Sequence, residues 1–314
     1  MIMHVSSRDT RPTAMIFPKI APKTDPLSLI LLLSLLLIPS LTRATEHSDG
    51  VPRRIVSLSP IQTENVFLLG SGSQLVGNTT YCTKPDAARN IEKVGSVMEI
   101  NIEKIAGLRP DLILASNLTP PLQVEQLNKL GLQTETFHQA SSFQEICKQF
   151  LALGTLLGRK QQAERIIDEA QQRVDNVRRA VEHLPKQKVF FQVGAHPLFS
   201  STKKSFTNDY IVFGGGENIA HEKTSGAMST EEILALTPDV IIIAVMGSED
   251  GIGANEKRKW QSYEVLEAAK SGRIYVLDPD QVCSPSPLTF AKALEDIARL
   301  IHPEAWNEKN PGSE

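Results

Sequence analysis

Apolar residues recur at helical spacing and then in short strand-length runs, in alternation, over most of the chain from about residue 53 onward. Ile55-Val56-Ser57-Leu58 predicts a strand stopped by Pro60, and IQTENVFLLG a helix closed by Gly70. LVGNTTY predicts a second strand, whereas CTKPDAARN carries too much Pro, Asp and Asn to be regular and is expected as a loop. A helix over NIEKIAGL, a strand over LILAS and a helix over LQVEQLNKLG, capped by Gly131, follow. Strands and helices alternating at this spacing predict βαβ units and a mostly parallel sheet.

The period changes between about Ser141 and His183, where the pattern is continuously helical. FQEICKQFLALGTLLG has one apolar face, and the charged stretch after it runs for more than twenty residues with a thin apolar stripe before Pro185. A long helix with little core of its own, set between two α/β halves, is expected as a stiff bridge; packing wholly on one half is the alternative. Beyond it KVFFQVG begins a second alternating region, with a polar loop, a helix and a glycine turn through GGGENIA. GSEDGIGANEKRKW is expected as a loop, followed by a helix through VLEAAKSG, the strand RIYVLD, the loop PDQVCSPSP, a last helix to Leu300 and a polar tail after Pro303.

One pattern occurs twice. NIEKIAGLRPDLILA at 101 to 115 returns 128 positions later as STEEILALTPDVIII at 229 to 243. Each copy is a polar cap, a short helix, a Pro-Asp turn and an apolar strand, which indicates two copies of one structural unit. Glu103 and Glu231 therefore hold equivalent places in the first helical turn, where a carboxylate is favoured by the helix dipole, and each is expected at the rim of its lobe.

Composition narrows the function classes. With 33 basic and 36 acidic residues in 314, dispersed along the chain, nothing favours nucleic acid. Arg11, Lys19 and Lys23 precede the run LSLILLLSLLLIPSL, and Thr42-Arg43-Ala44 precedes a polar stretch. That order of basic, apolar and small residues predicts a secretory signal peptide over 1–44, its apolar core short for a membrane span, with an uncleaved anchor as the alternative. Met15 is an alternative start, and no cysteine stands near the cleavage point, so a soluble periplasmic protein is expected. Of the three cysteines, Cys82, Cys147 and Cys283, at least one is unpaired within the chain, and their spacing matches no zinc pattern. Gly214 to Gly216 lack the Lys-Ser/Thr of a phosphate loop and are expected as a turn.

RRIVSLSPIQTENVFLLG, VGNTTYCTKPDAARNIEKVG, NIEKIAGLRPDLILAS and GGGENIA with STEEILALTPDVII resemble the Fe/B12 periplasmic-binding domain over about Arg53 to Ile301. The family comprises substrate-binding proteins of ABC importers for vitamin B12, ferric siderophores and haem, and the chain is most similar to its vitamin B12-binding branch. The resemblance implies two α/β lobes with mostly parallel sheets, an N-terminal lobe over 51–157 and a C-terminal lobe over 186–303. One rigid helix over 158–184 joins them, with the ligand held in the cleft between. It implies a monomer that captures a corrinoid or iron chelate, with no cofactor of its own and no catalysis. It also implies docking onto permease arginines through one glutamate on each lobe, which align with Glu103 and Glu231. The B12-binding branch lines its cleft with aromatics, and those positions here hold Lys84, Val97, Ser116 and residues near Met228, so Met228 is also expected to contact the ligand.

Open α/β sheets bind ligands at the carboxyl ends of their strands. That rule points to Tyr81, Cys82, Thr83 and Lys84, to Val97 and Met98, to Ser116 and Asn117, to His196 and Phe199, and to Asp280 and Cys283. Tyr81 is suited to stacking on a flat ligand, while Cys82, Cys283 and His196 are candidate ligands to a bound metal. A haem- or ferric siderophore-binding protein of the same family is the nearest alternative. An exported hydrolase is disfavoured because GxSxG and HExxH are absent.

Overall fold

The computed structural model describes residues 50–245 and 251–307. The expected leader over 1–44, Met246 and residues 247–250 of the expected loop, and the tail beyond 307 lie outside the described residues. Among the described residues no helix is long and apolar enough to cross a membrane.

The first lobe is built from β1 (Ile55–Ser57), α1 (Pro60–Leu68), β2 (Leu75–Asn78), α2 (Ile102–Gly107), β3 (Leu112–Ser116), α3 (Pro121–Lys129) and β4 (Thr134–Phe137). Its four strands run parallel in the order β2-β1-β3-β4. Every residue of β3 is buried, because the sheet is covered on both faces: Leu112 and Leu114 enter one core, and Ile113 and Ala115 the other. The sequence signal misses β4, since TETF is an edge strand with its two central residues exposed and carries no apolar run.

The helical region is two helices, α4 (Phe143–Leu156) and α5 (Lys160–Val181), separated at Gly158, whose φ of +66° ends the first. In α4, Phe143 and Ile146 join the core of the second lobe, while Phe150 and Leu153 join that of the first. In α5 the order reverses: Ala163 and Ile166 belong to the first core, and Ala170, Val174 and Val177 to the second. The thin stripe of α5 is thus divided between two cores rather than spent on one. The start of α4, placed by sequence in the N-terminal lobe, is packed in the other.

The second lobe contains β5 (Gln187–Ala195), β6 (Leu198–Ser200), α6 (Thr207–Phe213), β7 (Gly216–Asn218), α7 (Thr230–Leu236), β8 (Val240–Ile243), α8 (Ile252–Gln261), α9 (Glu267–Lys270), β9 (Ile274–Val276), α10 (Pro279–Val282), α11 (Pro287–Ile301) and α12 (Glu304–Asn307). β7, β5, β8 and β9 run parallel in that order, the same path as in the first lobe, with β6 antiparallel on the far end of β5. β8 again splits its residues, Val240 and Ile242 to one core and Ile241 and Ile243 to the other. The segment expected as a loop up to Trp260 is largely the helix α8. Its buried positions are Glu256 and Trp260, one turn apart, and a stripe half made of a carboxylate does not read as amphipathic. Leu288 on α11 packs against the cores of both lobes.

Candidate functional site

The chain reverses after each parallel strand at the same end of its sheet, so the segments following β1, β2, β3 and β4, and those following β5 and β9, are the places a ligand can be met. Two of these segments touch across the lobes. Lys84, beyond β2, puts its ammonium 3.2 Å from the carboxylate of Asp280 in α10, beyond β9. Glu64, in the second turn of α1, shares this field. Burial raises its carboxyl above the usual carboxylate range, Lys84 pulls it down and Asp280 pushes it up. The same carboxyl-end rule applied to the helix after β1 would have found Glu64; it was missed because α1 reads as an ordinary core helix.

The remaining expected residues divide by exposure. Tyr81 and Met98 are exposed large side chains, at 62% and 66%, and Asn117 and His196 are exposed too. Thr83, Val97 and Phe199 are half-buried. Ser116 is buried at the end of β3, where its hydroxyl accepts the Leu118 N–H at 3.3 Å and shapes the turn. Phe199 lies beside the segment leading into α7, bridged to Ala227.

Two of the expected ligand contacts are corrected by packing. Cys82 is fully buried, its sulfur 3.2 Å from the hydroxyls of both Thr63 and Thr79, which makes it part of the first lobe's interior. Met228 is also buried, in the core with Phe190, Leu198 and Trp260, and its N–H donates to the Leu198 carbonyl at 3.1 Å. The position before a helix cap faces inward here. Cys283 is half-buried, with its thiol directed at the Ala244 carbonyl at 3.8 Å, and burial pushes the thiol up to about 12. Such a thiol is protonated at neutral pH unless a metal displaces its proton. Cys147 is raised to about 12 in the same way, and all three cysteines are free. Among the described residues no group of three or more His, Cys, Asp or Glu side chains is gathered for a metal ion.

The repeated unit has the same local chemistry in both lobes. Asn101 caps α2 by accepting the Lys104 N–H at 2.8 Å, and Ser229 caps α7 by accepting the Glu232 N–H at 3.2 Å. Glu103 and Glu231 are both exposed beside these caps. Hydrogen bonds from its own backbone N–H and from Ser229 hold the Glu231 carboxyl below its usual range, so it is ionised at neutral pH. The turns that close the helices also agree: Arg109 has a φ of 48° and Thr237 a φ of 45°. Each stands before a proline, which disfavours the right-handed helical region at that residue.

Two α/β lobes of one topology, bridged by helices and with strand-end loops meeting between them, define a two-lobed binding protein. Residues 55–281 match the family model for periplasmic binding proteins, and the chain belongs to that family. It is 30% identical over 265 residues to an ABC transporter substrate-binding lipoprotein of Bacillus subtilis, covering 82% of each chain. It is 31% identical over 251 residues to the vitamin B12-binding protein of Pectobacterium atrosepticum, covering 75% of this chain and 88% of that one. Among solved structures it resembles the periplasmic vitamin B12-binding protein of Vibrio cholerae, with 27% identity and a TM-score of 0.67 over 82% of this chain and 99% of that one. It also resembles a periplasmic haem-binding protein of Pseudomonas aeruginosa, with 26% identity and a TM-score of 0.70 over 81% and 94%.

Proposed function

We propose that the chain is the periplasmic receptor of an ABC importer, capturing a corrinoid or iron chelate between its lobes and delivering it to an inner-membrane permease. The observation that carries the reading is the meeting of Lys84 and Asp280, which brings strand-end loops from both lobes to one place in a fold whose relatives include B12-binding proteins. Tyr81, Met98, Val97, Thr83, Asn117, His196 and Phe199 would supply contact surface around that place, and Glu103 and Glu231 would dock one on each lobe against the permease. A haem or ferric siderophore ligand belongs to the same reading, since a haem-binding protein shares the fold at comparable similarity.

The test is direct. Purified mature protein is mixed in turn with cyanocobalamin, dicyanocobinamide, haemin and ferric siderophores, desalted, and scanned for visible absorbance. Retention of one chromophore at one equivalent is expected. If nothing is retained and titration at equilibrium also shows no binding, the assignment fails.

A further inference from the structure

We infer that Glu64, Lys84 and Asp280 select the ligand by charge, admitting a neutral chelate that presents carboxamide N–H groups and disfavouring one that carries several anionic groups. This rests on the functional reading above and deepens it. The pair Lys84 and Asp280 is contributed by segments 196 residues apart, one in each lobe, so it lies where a ligand would touch both lobes. Glu64 directly follows Thr63, whose hydroxyl donates to Cys82 Sγ at 3.2 Å, two residues before Lys84; its half-buried carboxylate lies in the field of the pair and has no hydrogen-bond or ion-pair partner among the described residues.

The charge balance of this seam is two carboxylates against one ammonium, and the ammonium is already engaged. Neighbouring cations are engaged too. The Lys93 ammonium is spent on Asn78 Oδ1 at 2.7 Å and on the carbonyls of Ala88 at 2.9 Å and Cys82 at 3.3 Å. Arg89 is 3.5 Å from Asp86. Asp278 adds a further carboxylate, which accepts the Asp280 N–H at 2.9 Å.

Carboxylates only accept hydrogen bonds, so the complement of Glu64 is a donor. An amide N–H reaching it would make a charge-assisted bond to a group that burial has left under-solvated. An anionic arm would meet repulsion from Glu64 and Asp280, or would have to draw Lys84 away and leave Asp280 unpaired. The haem propionates and catecholate oxygens are of that second kind; the side-chain carboxamides of a corrin are of the first.

The experiment compares dissociation constants for dicyanocobinamide and haemin on the wild type, Glu64→Gln, Asp280→Asn, the double variant and Lys84→Gln. Wild type is expected to prefer dicyanocobinamide. The double variant should move the ratio toward haemin by about tenfold, the scale of one or two charge contacts in a half-buried site, and Lys84→Gln should move it the other way. Asp280 is exposed, so Asp280→Asn alone keeps the test available if the Glu64 variant does not fold. Equal affinity of the wild type for both probes, or a ratio unmoved by the double variant, overturns the selection while leaving the receptor reading standing. Retention of neither probe removes both.

Discussion

Asp111 and Asp239, 128 residues apart, perform the same task in the two lobes: each carboxylate accepts backbone N–H at the start of the adjacent central strand. Asp111 accepts from Arg53 at 2.8 Å and from Arg54 at 3.0 Å ahead of β1, and Asp239 accepts from Lys188 at 2.7 Å in β5. The return bonds also match, with the Asp111 N–H donating to the Arg54 carbonyl at 2.9 Å and the Asp239 N–H to that of Lys188 at 2.8 Å. The Pro-Asp turn of the repeat is therefore a clamp between neighbouring strands. Replacing either aspartate by alanine should cost about 1 to 2 kcal/mol, the scale of a hydrogen bond to a charged acceptor. Because the two clamps share no partner, the double variant should lose close to the sum, measured by urea denaturation at neutral pH.

A second prediction concerns the interior of the second lobe. Gln192 in β5 is fully buried, its amide donating to the Glu256 carboxylate at 2.8 Å and accepting the Trp260 indole N–H at 2.8 Å. Substituting leucine would leave a buried carboxylate and a buried indole N–H without their partner, at a cost of about 2 to 4 kcal/mol. The loss should be seen as a lowered unfolding midpoint and a changed emission of Trp260, read in a Trp306→Phe background since the chain has 2 tryptophans. An unchanged midpoint would mean that the network is not formed.

Much of this was legible in the pattern, and the failures have physical causes. The repeat at Asn101 and Ser229 announced two like lobes because cap, helix period, Pro-Asp turn and buried strand all leave local marks. β4, β6 and β7 left none: they are three- or four-residue strands whose residues, such as the TETF of Thr134–Phe137, pair at an edge without an apolar run. The candidate site was half legible. Position at a strand end indicated Lys84 and Asp280, but not that they would meet, and it could not tell the outward-facing Tyr81 from the inward-facing Cys82 next to it. Which side a loop residue faces is decided by tertiary partners, here the hydroxyls of Thr63 and Thr79.

The link between α5 and α11 gives a pH dependence. Arg173 grips Glu295 with two parallel bonds of 2.8 and 2.9 Å, and this hydrogen bonding outweighs burial and holds the Glu295 carboxyl below its usual range. A carboxyl depressed in the folded state stabilises the fold above its unfolded value and ceases to do so as pH falls through the lowered one. Glu295→Gln should therefore cost about 1 kcal/mol at pH 7, discounted because both side chains are about a quarter exposed. The difference from wild type should shrink once pH falls below about 4.3, the ordinary glutamate value. Denaturation midpoints of both proteins across that range provide the check; a difference that grows with acid would reverse the sign assigned to this pair.

The proposed docking through Glu103 and Glu231 predicts a separation of transport from binding. Both side chains are exposed at helix starts, so a change to arginine disturbs no core, although it places a cation where the helix dipole favours an anion. Glu103→Arg and Glu231→Arg should each reduce ligand uptake in cells that depend on this receptor, and the double variant should abolish it, because each lobe loses its attraction to a basic partner and gains repulsion. The dissociation constant of the purified protein for the retained chromophore should stay within about twofold of wild type, since neither carboxylate belongs to the seam of Glu64, Lys84 and Asp280. Uptake that survives the double reversal would dismiss these residues as docking points. A parallel loss of ligand affinity would place them at the ligand instead.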